Sequence, residues 1–263
     1  LQAEKVFCDF SNRHNKSVLA IRFCGVFGKW SKPNYNSVVS TFCHNIANDI
    51  PIKITDPNKI IKLTYIDDVV EMVIDIIKNI KKYNGFNILE SVITYEKKLT
   101  DIADLIKSFK QSRQSLLIPQ VGTGFKRALY STYLSFVIPE DFSYKLKENK
   151  DERGVFVEML KTVDSGQLSF FTAHPGVTRG GHYHHSKNEK FLVIKGKARF
   201  KFKNIFTNET YEIFTSDEYP EAIDTVPGWS HDITNIGNVE MIVMLWANEI
   251  FNKDKPDTIP YKI

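Results

Sequence analysis

Two hydrophobic rhythms divide the chain. Up to about residue 110 the apolar positions switch between short runs and helical spacing, and from Asp151 onward they recur at every second residue. Val18, Leu19, Ala20, Ile21 and Phe23 make a brief run that stops at Gly25, the pattern of a strand buried on both faces in a parallel sheet. Asp67 and Asp68 predict a helix start, with Val70, Val73, Ile74 and Ile77 on one face, Lys78, Lys81 and Lys82 at its end and Gly85 as its stop. Phe86-Asn87-Ile88 reads as a short strand. Thr100 reads as the cap of a second helix, with Ile102, Leu105, Ile106 and Phe109 at core spacing.

The period of two is clearest where Ala198, Phe200 and Phe202 alternate with Arg199, Lys201 and Lys203; Met241 to Trp246 adds a continuous apolar strand. Strands separated by turn signals, with no helix between them, predict an antiparallel barrel or jelly roll. Residues 111–150 follow neither rhythm. They carry Pro119, Gly122, Gly124 and Pro139 among the aromatics Phe125, Tyr130, Tyr133, Phe136, Phe142 and Tyr144, which suits a packed connector better than a flexible linker. The expected organisation is an α/β part over 1–113, a connector over 114–150 and an all-β barrel over 151–263.

Composition narrows the partners. The 263 residues allow two cores, and the 35 basic and 31 acidic residues are interspersed, so the net charge of +4 forms no nucleic-acid footprint and leaves an anionic small molecule compatible. Three cysteines, Cys8, Cys24 and Cys43, share no ligand spacing and read as reduced, mostly buried thiols of a cytoplasmic protein. No apolar run reaches the roughly 18 residues of a membrane span, and no basic-then-apolar signal pattern opens the chain. It begins with Leu1 directly in a helical pattern, as a piece of a longer chain would.

The densest chemistry lies between Gly176 and Gly196. His182 and His184 occupy alternate strand positions and so can meet on one face; Glu189 and, farther on, His231 would complete a set of three imidazoles and one carboxylate. Such a set suits Zn²⁺, Fe²⁺, Mn²⁺ or Ni²⁺. The alternative is a metal-free acid/base site, and His182 is the residue on which the two readings compete, because one ring nitrogen cannot both ligate and take a proton. His174 and His185 lie off the ligand spacing.

These spacings resemble the two-part cupin signature: Gly176, His182, His184, Glu189 and Gly196, then Pro227-Gly228 and His231-x-x-x-Asn235, with one residue fewer than usual at the Pro-Gly turn. Asp151 to Glu158 together with Thr178 to Tyr183 is similar to the cupin 3,5-epimerases of nucleotide-linked 4-keto-6-deoxy sugars. That resemblance implies that Arg153 and Arg179 hold a pyrophosphate with Glu158 on the substrate side. It also implies that His182 is the base and that Lys190 or Tyr183 is a proton donor. The first part resembles the substrate-binding, C-terminal half of extended short-chain dehydrogenase/reductases in Leu1 to Glu4, Arg22 to Gly28 and Tyr65 to Val70.

No Gly-x-x-Gly-x-x-Gly loop occurs, and the reductase-like part over 1–113 carries no Tyr-x-x-x-Lys pair, so NADPH binding and hydride transfer are not expected of this chain. With Gly28-Lys29-Trp30, Lys32 to Ser37, Tyr130 to Leu134 and Lys187 to Val193, the whole sequence resembles the C-terminal two-thirds of the bifunctional capsular polysaccharide enzymes that make UDP-N-acetyl-6-deoxy-L-talosamine. The resemblance implies a homodimer, a zinc cupin that epimerises C3 of a UDP-linked 4-keto-6-deoxy amino sugar, and NADPH-dependent reduction at C4 in the intact enzyme. A metal-dependent cupin dioxygenase and a non-catalytic sugar-binding or oligomerisation cupin are the competing expectations.

Overall fold

The computed structural model describes residues 2–90 and 93–263; the expected helical opening at Leu1 lies outside them. The chain divides into two units, Leu1–Gln111 with Gln120–Ser143, and Ser112–Pro119 with Tyr144–Ile263. Residues 114–150, expected as a connector, are shared between them. Among the described residues no helix is long and apolar enough to cross a membrane.

The first unit mixes helices with short strands: α1 (Gln2–His14), β1 (Val18–Arg22), β2 (Gly25–Phe27), α2 (Val38–Ala47), β3 (Ile60–Tyr65), α3 (Ile66–Lys78), β4 (Phe86–Glu90), β5 (Tyr95–Lys98), α4 (Leu99–Ser115) and α5 (Gly124–Leu134). β1 pairs parallel with β4, and β3 lies between β2, parallel to it, and antiparallel β5. Phe27, Val39, Phe42, Cys43, Ile102, Ile106, Phe109, Leu129 and Tyr133 fill one core. All three cysteines are free thiols, but only Cys43 is buried, Cys8 and Cys24 being half-buried.

Two helical details depart from the sequence expectation. α3 carries apolar residues on more than one face, and Ile76 is buried while Val70, Ile74 and Ile77 stay exposed. α4 begins at Leu99, so Thr100 lies inside the first turn and its hydroxyl donates to the Pro57 carbonyl at 3.1 Å instead of capping.

The second unit contains β6 (Leu117–Ile118), β7 (Glu148–Asp151), β8 (Gly154–Thr162), β9 (Gln167–Ala173), β10 (Thr178–Tyr183), β11 (Glu189–Lys195), β12 (Lys197–Asn204), β13 (Thr210–Ser216), β14 (Ala222–Asp224), β15 (Trp229–Asn235), β16 (Met241–Ala247) and β17 (Ile259–Pro260). One sheet runs β13-β12-β15-β10-β17 and the other β14-β11-β16-β9-β8-β6, with β7 beside β8. This strand order is that of a jelly roll. Ala198, Phe200 and Phe202 point into the core with Phe171, Phe191, Val193, Ile233, Met241 and Val243, and the intervening Arg199, Lys201 and Lys203 are less buried, as the alternation requires. The same parity explains β16: Met241, Val243 and Leu245 are buried, whereas Met244 on the other face is exposed.

Phe200 is fully buried at the centre of this core. Phe200→Ala should destabilise the barrel by about 3–5 kcal/mol, seen as a lower thermal midpoint, while Lys201→Ala should stay within about 0.5 kcal/mol of wild type.

Candidate metal centre

A register slip in one strand pair assembles the candidate ligands. β10 and β15 run antiparallel with Arg179 opposite Ile233 and Gly180 opposite Asp232, and then His182, not Gly181, stands opposite His231. A bulge inserts one residue and re-aims the side chain that follows. Without it, strand alternation would leave His182 on the outer face beside Gly180 and Asp232. Both glycines are left-handed, with φ of +100° and +80°, and a Cβ at Gly180 would lie 2.7 Å from the His231 carbonyl oxygen. The Gly-Gly pair is therefore what turns His182 inward.

His182, His184, Glu189 and His231 each offer a ligand atom, and these atoms lie within 4.8 Å of one another. The ring centres of His182 are 4.9 Å from His184 and 4.7 Å from His231. Glu189 Oε2 lies 3.1 Å from His184 Nε2 and 3.3 Å from His231 Nε2, and Glu189 Oε1 lies 2.7 Å from the ammonium of Lys187. His184, Glu189, His231 and Lys187 are all buried.

The donor and acceptor roles here constrain what can occupy the site. His184 Nδ1 contacts the Asp257 carbonyl oxygen, which can only accept, so Nδ1 carries the proton. The other nitrogen, Nε2, then presents a lone pair to a carboxylate oxygen unless a cation lies between them. A proton on His184 or a metal ion resolves that contact. Neither ring nitrogen of buried His231 has a hydrogen-bond partner, which an ion among the four residues would also satisfy. Three imidazoles and a carboxylate fit a divalent ion of the zinc, iron, manganese or nickel kind.

The site is polarised in a way that suits such an ion. Burial, with His231 alongside, pushes His182 down to about 4, so its imidazole is neutral at neutral pH. Burial alone would raise Glu189, but its contacts with His184, His231 and Lys187 outweigh that and hold the carboxyl below the usual carboxylate range. Neutral imidazoles and an ionised carboxylate are the ligating forms.

A cavity of about 500 Å³ is lined by His182, Glu189, His231 and Lys187, by Arg153, Glu158 and Arg179, and by apolar residues including Phe156, Phe171, Phe191 and Leu245. That volume lies in the range of small-molecule sites. Arg179 Nε donates to the Thr172 carbonyl at 2.9 Å and its guanidinium stacks 5.3 Å from the Phe171 ring centre. One terminal nitrogen of Arg179 is buried without a hydrogen bond, 3.7 Å from Asp151. Arg153 forks onto Asp151 at 2.6 and 3.1 Å, and these bonds lower the Asp151 carboxyl to about 2. Glu158 pairs with Lys161 at 2.8 Å.

Two expected catalytic residues are not brought to this cavity. Lys190 alternates outward from Glu189 and pairs with Asp224 on the neighbouring strand β14, and the Tyr183 ring packs edge-on against His185 and Tyr261. Of the proton-transfer candidates only His182 lines the cavity. Sequence reasoning passed over Lys187, although its spacing of two from Glu189 is the alternation that turned Lys190 away. Asp257, which accepts hydrogen bonds from the backbone of His185, Ser186 and Lys187, carried no readable signal.

Gly180→Ala should weaken Zn²⁺ binding by on the order of tenfold or more, the scale seen when ligand orientation is disturbed. Competition against a chromophoric chelator measures it. Gly122→Ala, in open space, should leave it unchanged.

The family model described as the polysaccharide biosynthesis C-terminal domain matches residues 149–259. A UDP-2-acetamido-2,6-beta-L-arabino-hexul-4-ose reductase of Pseudomonas aeruginosa is 56% identical over 241 residues, which cover 92% of this chain and 64% of that protein. This chain therefore spans a little under two-thirds of that relative. The spore coat polysaccharide biosynthesis protein SpsL of Bacillus subtilis is 23% identical over 123 residues, 43% of this chain and 82% of that protein. The crystal structure of the capsular polysaccharide assembling protein CapF from Staphylococcus aureus superposes with a TM-score of 0.92 at 38% identity, over 100% of this chain and 71% of that one. Similarity of that extent in both sequence and structure shows that the chain belongs to the family of the capsular polysaccharide assembling protein CapF.

Proposed function

We propose that the second unit epimerises C3 of a UDP-linked 4-keto-6-deoxy-N-acetylhexosamine. The observation that carries this reading is the convergence of two guanidinium groups, a neutral imidazole and a buried His/Glu cluster on one cavity. A ketone at C4 acidifies the proton at C3, and epimerisation needs a base, a return of the proton to the opposite face and positive charge near the ketone oxygen. His184, Glu189 and His231 are the proposed ligands of a divalent ion, with His182 completing the set at rest. When bound, that ion supplies Lewis-acid stabilisation of the developing enolate charge.

His182 is the least buried of the four and is the residue assigned to proton transfer at C3. A nitrogen engaged by an ion cannot take a proton, so His182 must be free of the ion while it acts. Arg153 and Arg179 are the proposed pyrophosphate fork, with the diphosphate replacing Asp151 as their partner. The apolar wall excludes water from the sugar and strengthens each of these charges.

The first unit is proposed to be the substrate-side part of an extended short-chain reductase acting at C4 of the same sugar, in a homodimer. Reduction there draws on NADPH; no Gly-x-x-Gly-x-x-Gly loop occurs in these 263 residues, and no Tyr-x-x-x-Lys pair occurs in the reductase-like part over 1–113. These residues alone are therefore proposed to carry the epimerase step and not the reduction.

In D₂O the Zn²⁺-loaded protein should exchange the C3 proton of the UDP-4-keto sugar, followed as loss of its ¹H resonance; no exchange by protein with confirmed metal would sink the reading. His182→Ala should bind zinc more weakly but still load at saturating Zn²⁺, and lose exchange, whereas failure to load at all would make His182 a permanent ligand. Arg179→Met should weaken UDP binding by roughly 10- to 100-fold, the worth of about 1.5–3 kcal/mol for hydrogen bonds to a charged group. Calorimetric titration with UDP reads it, and unchanged affinity would remove Arg179 from the diphosphate site.

A further inference from the structure

We infer that the segment from Asn252 to Ile263 completes the proposed metal centre, with Asp257 as the residue that positions its ligands. The inference rests on the metal reading above and adds a residue, Asp257, that lies 68 positions beyond Glu189 in sequence.

The loop between β10 and β11 begins at His184 and delivers Glu189 to the start of the next strand. A five-residue span of that kind has no internal reason to hold both side chains on one point. Asp257 supplies one. Its Oδ1 accepts from the His185 backbone N–H at 2.9 Å, and its Oδ2 accepts from the Ser186 N–H at 2.7 Å, the Lys187 N–H at 2.8 Å and the Ser186 hydroxyl at 3.0 Å. Three successive backbone N–H groups converging on one carboxylate form an anion-binding nest, filled here by the chain's own side chain.

The same residue fixes both ligands flanking the nest. Its carbonyl oxygen accepts a hydrogen bond from the Nδ1–H of His184, which leaves Nε2 as the atom turned toward Glu189. A second partner that sets the tautomer and ring orientation is the usual companion of a ligating histidine. At the far end, Asp257 holds the backbone of Lys187, whose ammonium sits 2.7 Å from Glu189 Oε1 and leaves Oε2 facing the imidazoles. One side chain thus sets the free nitrogen of one ligand and, through Lys187, the free oxygen of another.

The segment that carries Asp257 is itself anchored to the strand bearing His182. β17 pairs with β10, Pro260 opposite His182 and Ile259 opposite Tyr183. The Tyr261 N–H donates to the Gly181 carbonyl at 2.8 Å, and the buried Ser230 hydroxyl donates to the Tyr261 carbonyl at 2.7 Å. The clamp on the loop and the bulge in β10 are therefore braced by the same stretch of chain.

The test uses Asp257→Asn, which keeps the shape but turns one acceptor into a donor facing N–H groups. Zn²⁺ affinity is read by chelator competition, ligand geometry by the visible absorption of the Co²⁺-loaded protein, and folding of the metal-free protein by near-ultraviolet circular dichroism. Expected are a roughly 10- to 100-fold weaker affinity and an altered cobalt spectrum in a protein that remains folded, with Lys255→Ala in the same segment matching wild type. Wild-type affinity together with a wild-type cobalt spectrum in Asp257→Asn would overturn the inference and leave the metal reading intact. A wild-type protein that binds neither ion would overturn both. Should Asp257→Asn not fold, Ser186→Ala, which removes only the hydroxyl donor, takes its place: weaker zinc binding supports the inference and unchanged binding overturns it.

Discussion

A buried carboxylate facing two imidazole nitrogens is the constraint around which the second unit is organised. An ionised Glu189 out of water costs several kcal/mol unless it is paired, and a lone pair on His184 Nε2 pointed at it adds repulsion. Lys187 neutralises one oxygen. The other, 3.1 and 3.3 Å from two imidazoles, needs a positive charge among them, and a divalent ion meets that need with all four ligand-type side chains at once. Everything nearby preserves the geometry: the bulge at Gly180 and Gly181, the phenylalanine core beneath, and Asp257 behind the loop.

The jelly roll is suited to hold such a site because its two sheets present inner faces made of alternate residues. Phe191 and Phe200 pack in the core on the same strand parity that turns Glu189 inward and Lys190 outward. The apolar wall and Glu189 thus follow one rule, period two, while His182 joins the charged cluster through the bulge in β10. The cavity is thereby apolar on one side and ionic on the other, the arrangement in which a few charges act most strongly on whatever is bound.

The chain belongs to the CapF family, but relatives do not transfer every residue. Lys190, which the resemblance to the sugar epimerases suggested as a proton donor, is tied to Asp224 away from the cavity, while Lys187 lies against the cluster. Position along the sequence and position in space separate here by the parity of a strand. The first unit illustrates the same point in a helix: α3 has apolar residues on two faces, and tertiary packing covers Ile76 while Ile77 stays exposed.

The sequence by itself determined whatever is local. The alternation of Ala198, Phe200 and Phe202 specified the barrel face, the helical spacing of Ile102, Ile106 and Phe109 specified a core helix, and the interval from His182 to Glu189 with His231 specified the ligand-type set. Tertiary structure alone decided what depends on contacts between distant segments. The slip that opposes His182 to His231 is a property of two paired strands, although the Gly-Gly pair permits it. Asp257 reaches the ligand loop through backbone N–H groups, and every residue but proline has one, so no side-chain pattern could announce it. Side-chain period is written in the residues; backbone partners across the chain are chosen only when it folds.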